Sequence, residues 1–223
     1  MKRPLSIAHR GASGHEPENT MAAFEKALAM GCSGIELDVK LSADGVPVVL
    51  HDESLARLTS LQANVADLKI SELRSLKVAG KHRIPLLEEV LEIVSGRCLL
   101  NVEIKAAAAS PIVGKMIAKQ LKVDQVIVSS FDWNVLKAIS EEYPTIPVGV
   151  LTMTDLPLAI DFAKFIRAKA VHPHYHLLSK QNVKSMQSDG FLVNCWTVND
   201  PGDIGELKNF GVDGIITDYP ERV

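Results

Sequence analysis

The chain is short of cysteine, of aromatic side chains and of net charge, and each shortage removes a class of function. Cys32, Cys98 and Cys195 are an odd, scattered set with no Cys-x-x-Cys pair. They make neither a disulfide framework nor a thiolate zinc site, and they suit a reducing, cytoplasmic setting. A formal net charge of −3 gives no electrostatic footprint for nucleic acid or for stable association with an anionic membrane. No apolar run approaches the ~20 residues that span a bilayer. Met1-Lys2-Arg3 is basic, but the apolar stretch at 5–8 is too short for a signal segment and runs straight into His9.

What is present is an ordinary globular composition, 47% hydrophobic and 23% charged over 223 residues. No linker or low-complexity tract interrupts it, so residues 1–223 are expected to form one domain. A strand-then-helix alternation recurs throughout, which reads as βαβ units and a parallel sheet. The expected strands are 5–9, 34–41, 99–105, 126–130, 147–151, 170–172, 192–197 and 214–217. Helical patterns fall between them, at 20–30, 87–94, 111–121, 133–142, 156–168, 180–188 and 201–210. Asn19 is the expected cap of the first helix and Gly31 its stop. A doubly wound open sheet shows the same alternation, but eight strands favour closure into a (β/α)8 TIM barrel.

One segment breaks the alternation. Residues 46–51 are strand-like, yet only Ser42 to Gly45 separate them from the second strand. A parallel crossover needs about a dozen residues, so an extra strand must return antiparallel. With Asp44-Gly45 as a two-residue turn, Ala43 pairs with Val46 and His51 falls opposite Asp38.

Barrel enzymes do their chemistry at the C-terminal strand ends. Here those ends carry His9-Arg10, Glu36 with Asp38, Glu103 with Lys105, and Trp196. Period-two geometry puts Glu36 and Asp38 on one face of their strand. Three inward carboxylates are costly unless paired, for instance Glu103 with Lys105, or metal-bound. Without thiols the set is hard and oxygen-rich, suiting one divalent cation, Mg²⁺ or Ca²⁺. His9 and His51 have a reference pKa suited to proton transfer near neutrality, and Arg10 and Lys105 can grip a phosphate.

The ordered motifs His9-Arg10-Gly11, Pro17-Glu18-Asn19-Thr20, Glu36-Leu37-Asp38-Val39 and His51-Asp52 resemble those of the glycerophosphodiester phosphodiesterase family. So do Val102-Glu103-Ile104-Lys105, Ser130-Phe131, Trp196-Thr197-Val198-Asn199 and the closing run Asp213 to Asp218. The resemblance implies metal-dependent hydrolysis of a glycerophosphodiester, such as glycerophosphocholine or glycerophosphoethanolamine, to glycerol 3-phosphate and an alcohol. It implies His9 and His51 as the acid/base pair and Glu36, Asp38 and Glu103 as metal ligands. Arg10 and Lys105 would hold the phosphate, Glu18 would support the site, and Trp196 would wall the glycerol end. The sequence departs from the family pattern after His51-Asp52, where an Arg-Thr-Thr stretch is replaced by Arg57-Leu58-Thr59-Ser60-Leu61.

Two rivals stand beside this reading. A phosphoinositide-type phospholipase shares the outline, but the sequence has no basic or apolar membrane patch. A catalytically silent barrel that binds a phosphorylated ligand would have lost a histidine or a carboxylate, and none is lost. His172, His174 and His176 alternate like a metal comb, yet no carboxylate or cysteine accompanies them, so they read as loop. His172 is the best placed of the three for substrate contact. His15 reads as part of the active-site rim. Nothing in the sequence sets the oligomeric state.

Overall fold

Val-, Ile- and Leu-rich strands bury one face under helices, and the other face of each strand must then meet its counterparts. In chain order the strands are β1 (Leu5–His9), β2 (Gly34–Leu41), β3 (Pro47–Val49), β4 (Leu99–Ile104), β5 (Val126–Ser130), β6 (Val148–Thr152), β7 (Ala170–Pro173), β8 (Leu192–Cys195) and β9 (Gly214–Thr217). The computed structural model describes residues 3–223, apart from the Val123 side chain; Met1 and Lys2 lie outside the described residues. Every strand but β3 pairs parallel to its neighbours, and β9 pairs back onto β1, which also pairs with β2. The expected barrel is therefore closed, with β3 bonded antiparallel to the outer edge of β2.

The helices are α1 (Met21–Ala29), α2 (Ile70–Ser75), α3 (Leu87–Val94), α4 (Ser110–Gln120), α5 (Trp133–Glu142), α6 (Leu156–Phe165), α7 (Lys180–Ser188) and α8 (Pro201–Phe210). Their apolar faces join the outward residues of the strands, among them Leu37, Val102, Val128, Val150, Val171, Val193 and Ile215, in one continuous core. A second, smaller core of Val48, Leu50, Leu55, Val65, Leu73, Val78 and Ile84 sits beneath the segment that follows β3. It contains α2, a helix the sequence pattern did not announce.

Several boundaries differ from expectation by a few residues, and three of the differences have plain local reasons. Thr20, not Asn19, caps α1: its Oγ1 accepts from the Ala23 N–H at 3.2 Å, while Asn19 sits at φ 53° and turns its side chain to Asp38. α6 stops at Phe165, ahead of Arg167 at φ 53°, a left-handed conformation that cannot continue a helix. β8 stops at Cys195, and Trp196 keeps only an isolated bridge to His174.

The hairpin register is off by one from the expected pairing. Val39 pairs with Val49 and Leu41 with Pro47, so the turn holds three residues, Ala43, Asp44 and Gly45, with Gly45 at φ 77°. This is the turn-plus-left-handed-residue solution for a three-residue hairpin. Ser42 secures it: its Oγ accepts from the Val46 N–H at 2.9 Å and donates to Asp44 Oδ1 at 2.7 Å. As a result Leu50, not His51, lies opposite Asp38, and the Leu50 N–H donates to the Asp38 carbonyl at 3.0 Å. His51 reaches the barrel mouth from a bend beyond the strand end.

Candidate active site

Glu36 and Asp38 point into the mouth from β2, and the register sets Glu103 of β4 beside Asp38. The three are buried, with relative exposures of 3%, 1% and 9%, and each offers an oxygen within 4.8 Å of the others. Burial, then the charge of Asp38, holds the Glu36 carboxyl well above the usual range, and Glu103 is raised by the same two causes. Two cations answer them. Arg10 gives its backbone N–H to Glu36 Oε2 at 2.8 Å and sets Nε 3.3 Å from Asp38 Oδ2. Lys105 Nζ lies 2.9 Å from Glu103 Oε1 and 3.6 Å from Asp38 Oδ1. The pairing of Glu103 with Lys105 is thus real, but it does not use up the cluster. Asp38 Oδ1 is buried with no hydrogen-bond partner. An orphaned carboxylate oxygen among three converging acids fits a hard divalent cation.

The turn out of β1 makes this possible. Arg10 at φ 56° and Gly11 at φ 80° swing the chain over the barrel end. A Cβ on Gly11 would stand 2.6 Å from the Ala23 backbone carbon, so α1 closes against that glycine.

Each histidine is tethered through Nδ1, which leaves Nε2 for the pocket. His9 Nδ1 lies 2.7 Å from Asp218 Oδ1. Asp218 is itself fixed by Ser13 Oγ at 2.9 Å and Asn199 Nδ2 at 2.6 Å. Burial alone would lower the His9 pKa; the Asp218 hydrogen bond and the Glu36 charge outweigh it, and the pKa is raised. His51 Nδ1 lies 2.7 Å from Asp52 Oδ1. Here burial wins over Asp38 and Asp52, and the pKa is lowered. Asp52 Oδ2 accepts from Arg57 Nε at 2.5 Å, and Arg57 forks onto both oxygens of Glu18 at 2.8 Å. Glu18 Oε1 also accepts from Arg10 Nη1 at 2.8 Å. His51 is therefore linked to Asp38 by a continuous charged chain through Asp52, Arg57, Glu18 and Arg10.

Above the acids lies a cavity of about 370 Å³, lined by both histidines, Arg10, Glu36, Glu103 and Lys105 on one side. Its opposite wall is apolar: Phe131, Leu151, Met153, Trp196 and Ile216. Trp196 meets Phe131 edge-to-face at 5.3 Å and donates Nε1–H to the His172 carbonyl at 2.7 Å, which fixes the ring.

Every site residue expected from sequence lines this cavity or, like Glu18 and Asp38, braces those that do. His172 is the exception. It is wholly buried inside the barrel, its Nε2 3.1 Å from Asn194 Nδ2, and burial pushes its pKa down to about 4. It is a neutral core residue below the mouth, not a substrate contact. His174 stacks on Tyr175 and meets Trp196 edge-to-face at 5.2 Å, and His176 is exposed. His15 pairs with Glu221 at 3.1 Å. Among the described residues, only the three carboxylates bring three metal-type ligands together. Sequence reasoning missed Asp218, Asn199, Ser13, Asp52 and Arg57 as supports of the histidines. Asp218 had a usable signal as the first residue beyond β9, a strand-end position, and Arg57 lies in the stretch that departs from the family pattern.

Fold and site together define a class: a (β/α)8 barrel with a buried acidic cluster and two carboxylate-tethered histidines at its C-terminal mouth. Residues 9–222 match the model of the glycerophosphoryl diester phosphodiesterase family, and the chain belongs to that family. It is 38% identical to a glycerophosphodiester phosphodiesterase of Bacillus altitudinis, over 97% of this chain and 95% of that one. A second, from Caldanaerobacter subterraneus subsp. tengcongensis, is 36% identical over 99% of this chain and 96% of its own length. Among solved structures, an Oleispira antarctica phosphodiesterase in complex with the product sn-glycerol-3-phosphate superposes with a TM-score of 0.92 at 29% identity, covering 98% of this chain and 94% of that one.

Proposed function

We propose that the protein hydrolyses small glycerophosphodiesters to glycerol 3-phosphate and an alcohol, with residues 1–223 acting as one catalytic domain. The observation that carries this is the pair of histidines, each held through Nδ1 by a carboxylate, flanking one buried acidic cluster. Such tethering fixes the tautomer and aims Nε2 at the substrate. One histidine takes the proton of the nucleophile and the other returns one to the leaving alcohol, each contributing roughly 10²–10⁴-fold.

Glu36, Asp38 and Glu103 would hold Mg²⁺ or Ca²⁺, which supplies charge neutralisation at the phosphate. Arg10 and Lys105 bind the non-bridging oxygens, and Glu18 keeps Arg10 aimed. Trp196 and Phe131 pack against the glycerol arm. With no expected histidine or carboxylate missing, a silent ligand-binding barrel has no support. Among the described residues no helix is long and apolar enough to cross a membrane. The three free cysteines support a reducing, cytoplasmic setting.

The test is release of glycerol 3-phosphate from glycerophosphocholine, with and without EDTA. Release that EDTA abolishes and Mg²⁺ or Ca²⁺ restores is the expected result. Release indifferent to EDTA removes the cation from the site, and no release from any headgroup diester overturns the reading.

A further inference from the structure

Lys40 is a buried cation that the proposed mechanism does not use. It follows Asp38 by two residues on β2 and so shares the face of Glu36 and Asp38. Its side chain is 92% buried, and among the described residues its only carboxylate within ion-pair range is Glu53 Oε1, at a loose 3.8 Å. Glu53 is itself 86% exposed, so it holds the ammonium weakly. Among the described residues Lys40 Nζ makes no hydrogen bond, whereas neighbouring Lys105 and Arg57 are occupied by Glu103, Asp52 and Glu18.

Lys40 lines a cleft together with His51, Asp52, Glu53, Arg57 and Lys105, and it also borders a groove with Asn64 and Asp67. His51 and Lys105 also line the central cavity, so the cleft and the cavity adjoin across these two side chains. A phosphodiester has two arms on separate oxygens, and in an in-line displacement the leaving arm departs opposite the nucleophile while the glycerol arm stays on phosphorus. With the glycerol arm against Trp196 and Phe131, the other arm leads past His51 and Lys105 into this cleft. Lys40 then stands where the substituent of the leaving alcohol would lie.

We propose that Lys40 makes this cleft a specificity subsite for an anionic group, carboxylate or phosphate, carried by the leaving alcohol. The inference rests on the phosphodiesterase reading above. A half-free ammonium on a buried stem is a compact point charge that accepts either anion. A cationic headgroup such as choline gains nothing there, and Glu53 only partly offsets the charge.

The test uses matched substrates that differ only in the anion. Glycerophosphoserine is glycerophosphoethanolamine plus a carboxylate, and glycerophosphoinositol 4-phosphate is glycerophosphoinositol plus a phosphate. In at least one pair the anionic member is expected to be turned over about tenfold better in kcat/KM, and the pair that shows the preference identifies the anion. Lys40→Met, which keeps the buried stem, should bring the ratio to about one, Lys40→Arg should retain most of it, and Glu53→Gln should raise it. Wild-type ratios at or below one in both pairs overturn the subsite. So does a Lys40→Met loss shared equally by both members of a pair. No turnover of any of the four by the wild-type protein instead overturns the phosphodiesterase reading.

Discussion

His9 and His51 were visible in the sequence because each lies at a strand end next to other polar strand-end residues, a local signal. What holds them was not. Asp218 is 209 residues from His9, and no spacing rule connects them; only closure of β9 onto β1 does. Two predictions belong at this scale. His9→Ala and His51→Ala should each lower kcat by roughly 10²-fold or more with an unchanged far-UV spectrum. Near-normal turnover in either variant excludes that ring from the chemistry. Asp218→Asn should also cost of the order of 10²–10⁴-fold, since the amide no longer fixes the His9 tautomer as the carboxylate does. The direction of its pH effect follows from the raised His9 pKa: losing the Asp218 hydrogen bond and charge removes two of the causes that raise it, so the His9 limb of the kcat/KM profile moves to lower pH. A limb that stays in place means Asp218 does not act through His9.

At the scale of elements, the alternation of strands and helices was legible because outward strand residues and helix faces are apolar with distinct periods. The hairpin register was not, because two side chains decide it. Ser42 and Asp44 hydrogen-bond within the turn, and Asp44 Oδ1 also accepts from the Ile70 N–H at 2.9 Å, so a third residue is drawn into the turn. α2 was missed for a related reason. Six residues carry little periodic signal, and the helix exists by packing Leu73 into the smaller core. The segments before and after α1 support a quantitative contrast between two glycines, both left-handed. Gly31 at φ 72° has nothing within 4 Å of a Cβ, whereas Gly11 at φ 80° has the Ala23 backbone at 2.6 Å. Gly31→Ala should cost about 1 kcal/mol of backbone strain. Gly11→Ala adds a clash that α1 must move to relieve, so its cost should exceed that of Gly31→Ala by roughly 1–3 kcal/mol. Urea midpoints of the two variants measure the difference. Equal losses would show that α1 is free to shift away from Gly11.

The whole molecule carries an electrostatic cost at its mouth that a cation should reverse. Glu36 and Glu103 have pKa values raised in the fold by burial and by Asp38, above the ordinary 4.5. A raised carboxyl favours the protonated fold, so that stability is fully present below about 4.5 and is lost as pH rises through the folded value. Asp52 and Asp218 act in the opposite sense. Both are held at about 2, Asp52 chiefly by Arg57, and Asp218 by His9, Asn199 and Ser13 against the effect of burial. Their contribution is complete above ordinary carboxylate values and is lost only as pH falls towards 2, so it is constant across pH 5 to 8. His172, with a pKa of about 4 against the ordinary 6.5, adds stability as pH rises to about 6.5 and nothing further above it. In EDTA, the melting temperature of a His9→Ala/His51→Ala double variant, which removes those two titrations, should therefore fall as pH rises from about 6.5 to 8. Mg²⁺ or Ca²⁺ at about 100 times its Kd should stabilise by about 2.7 kcal/mol. For a chain of this size that is a rise of roughly 5–10 °C. At a fixed cation concentration the rise should grow with pH, because the cation binds the ionised acids and releases the protons that the stripped cluster retains. A cation effect that is absent, or constant from pH 5 to 8, would mean that Glu36, Asp38 and Glu103 are not its ligands.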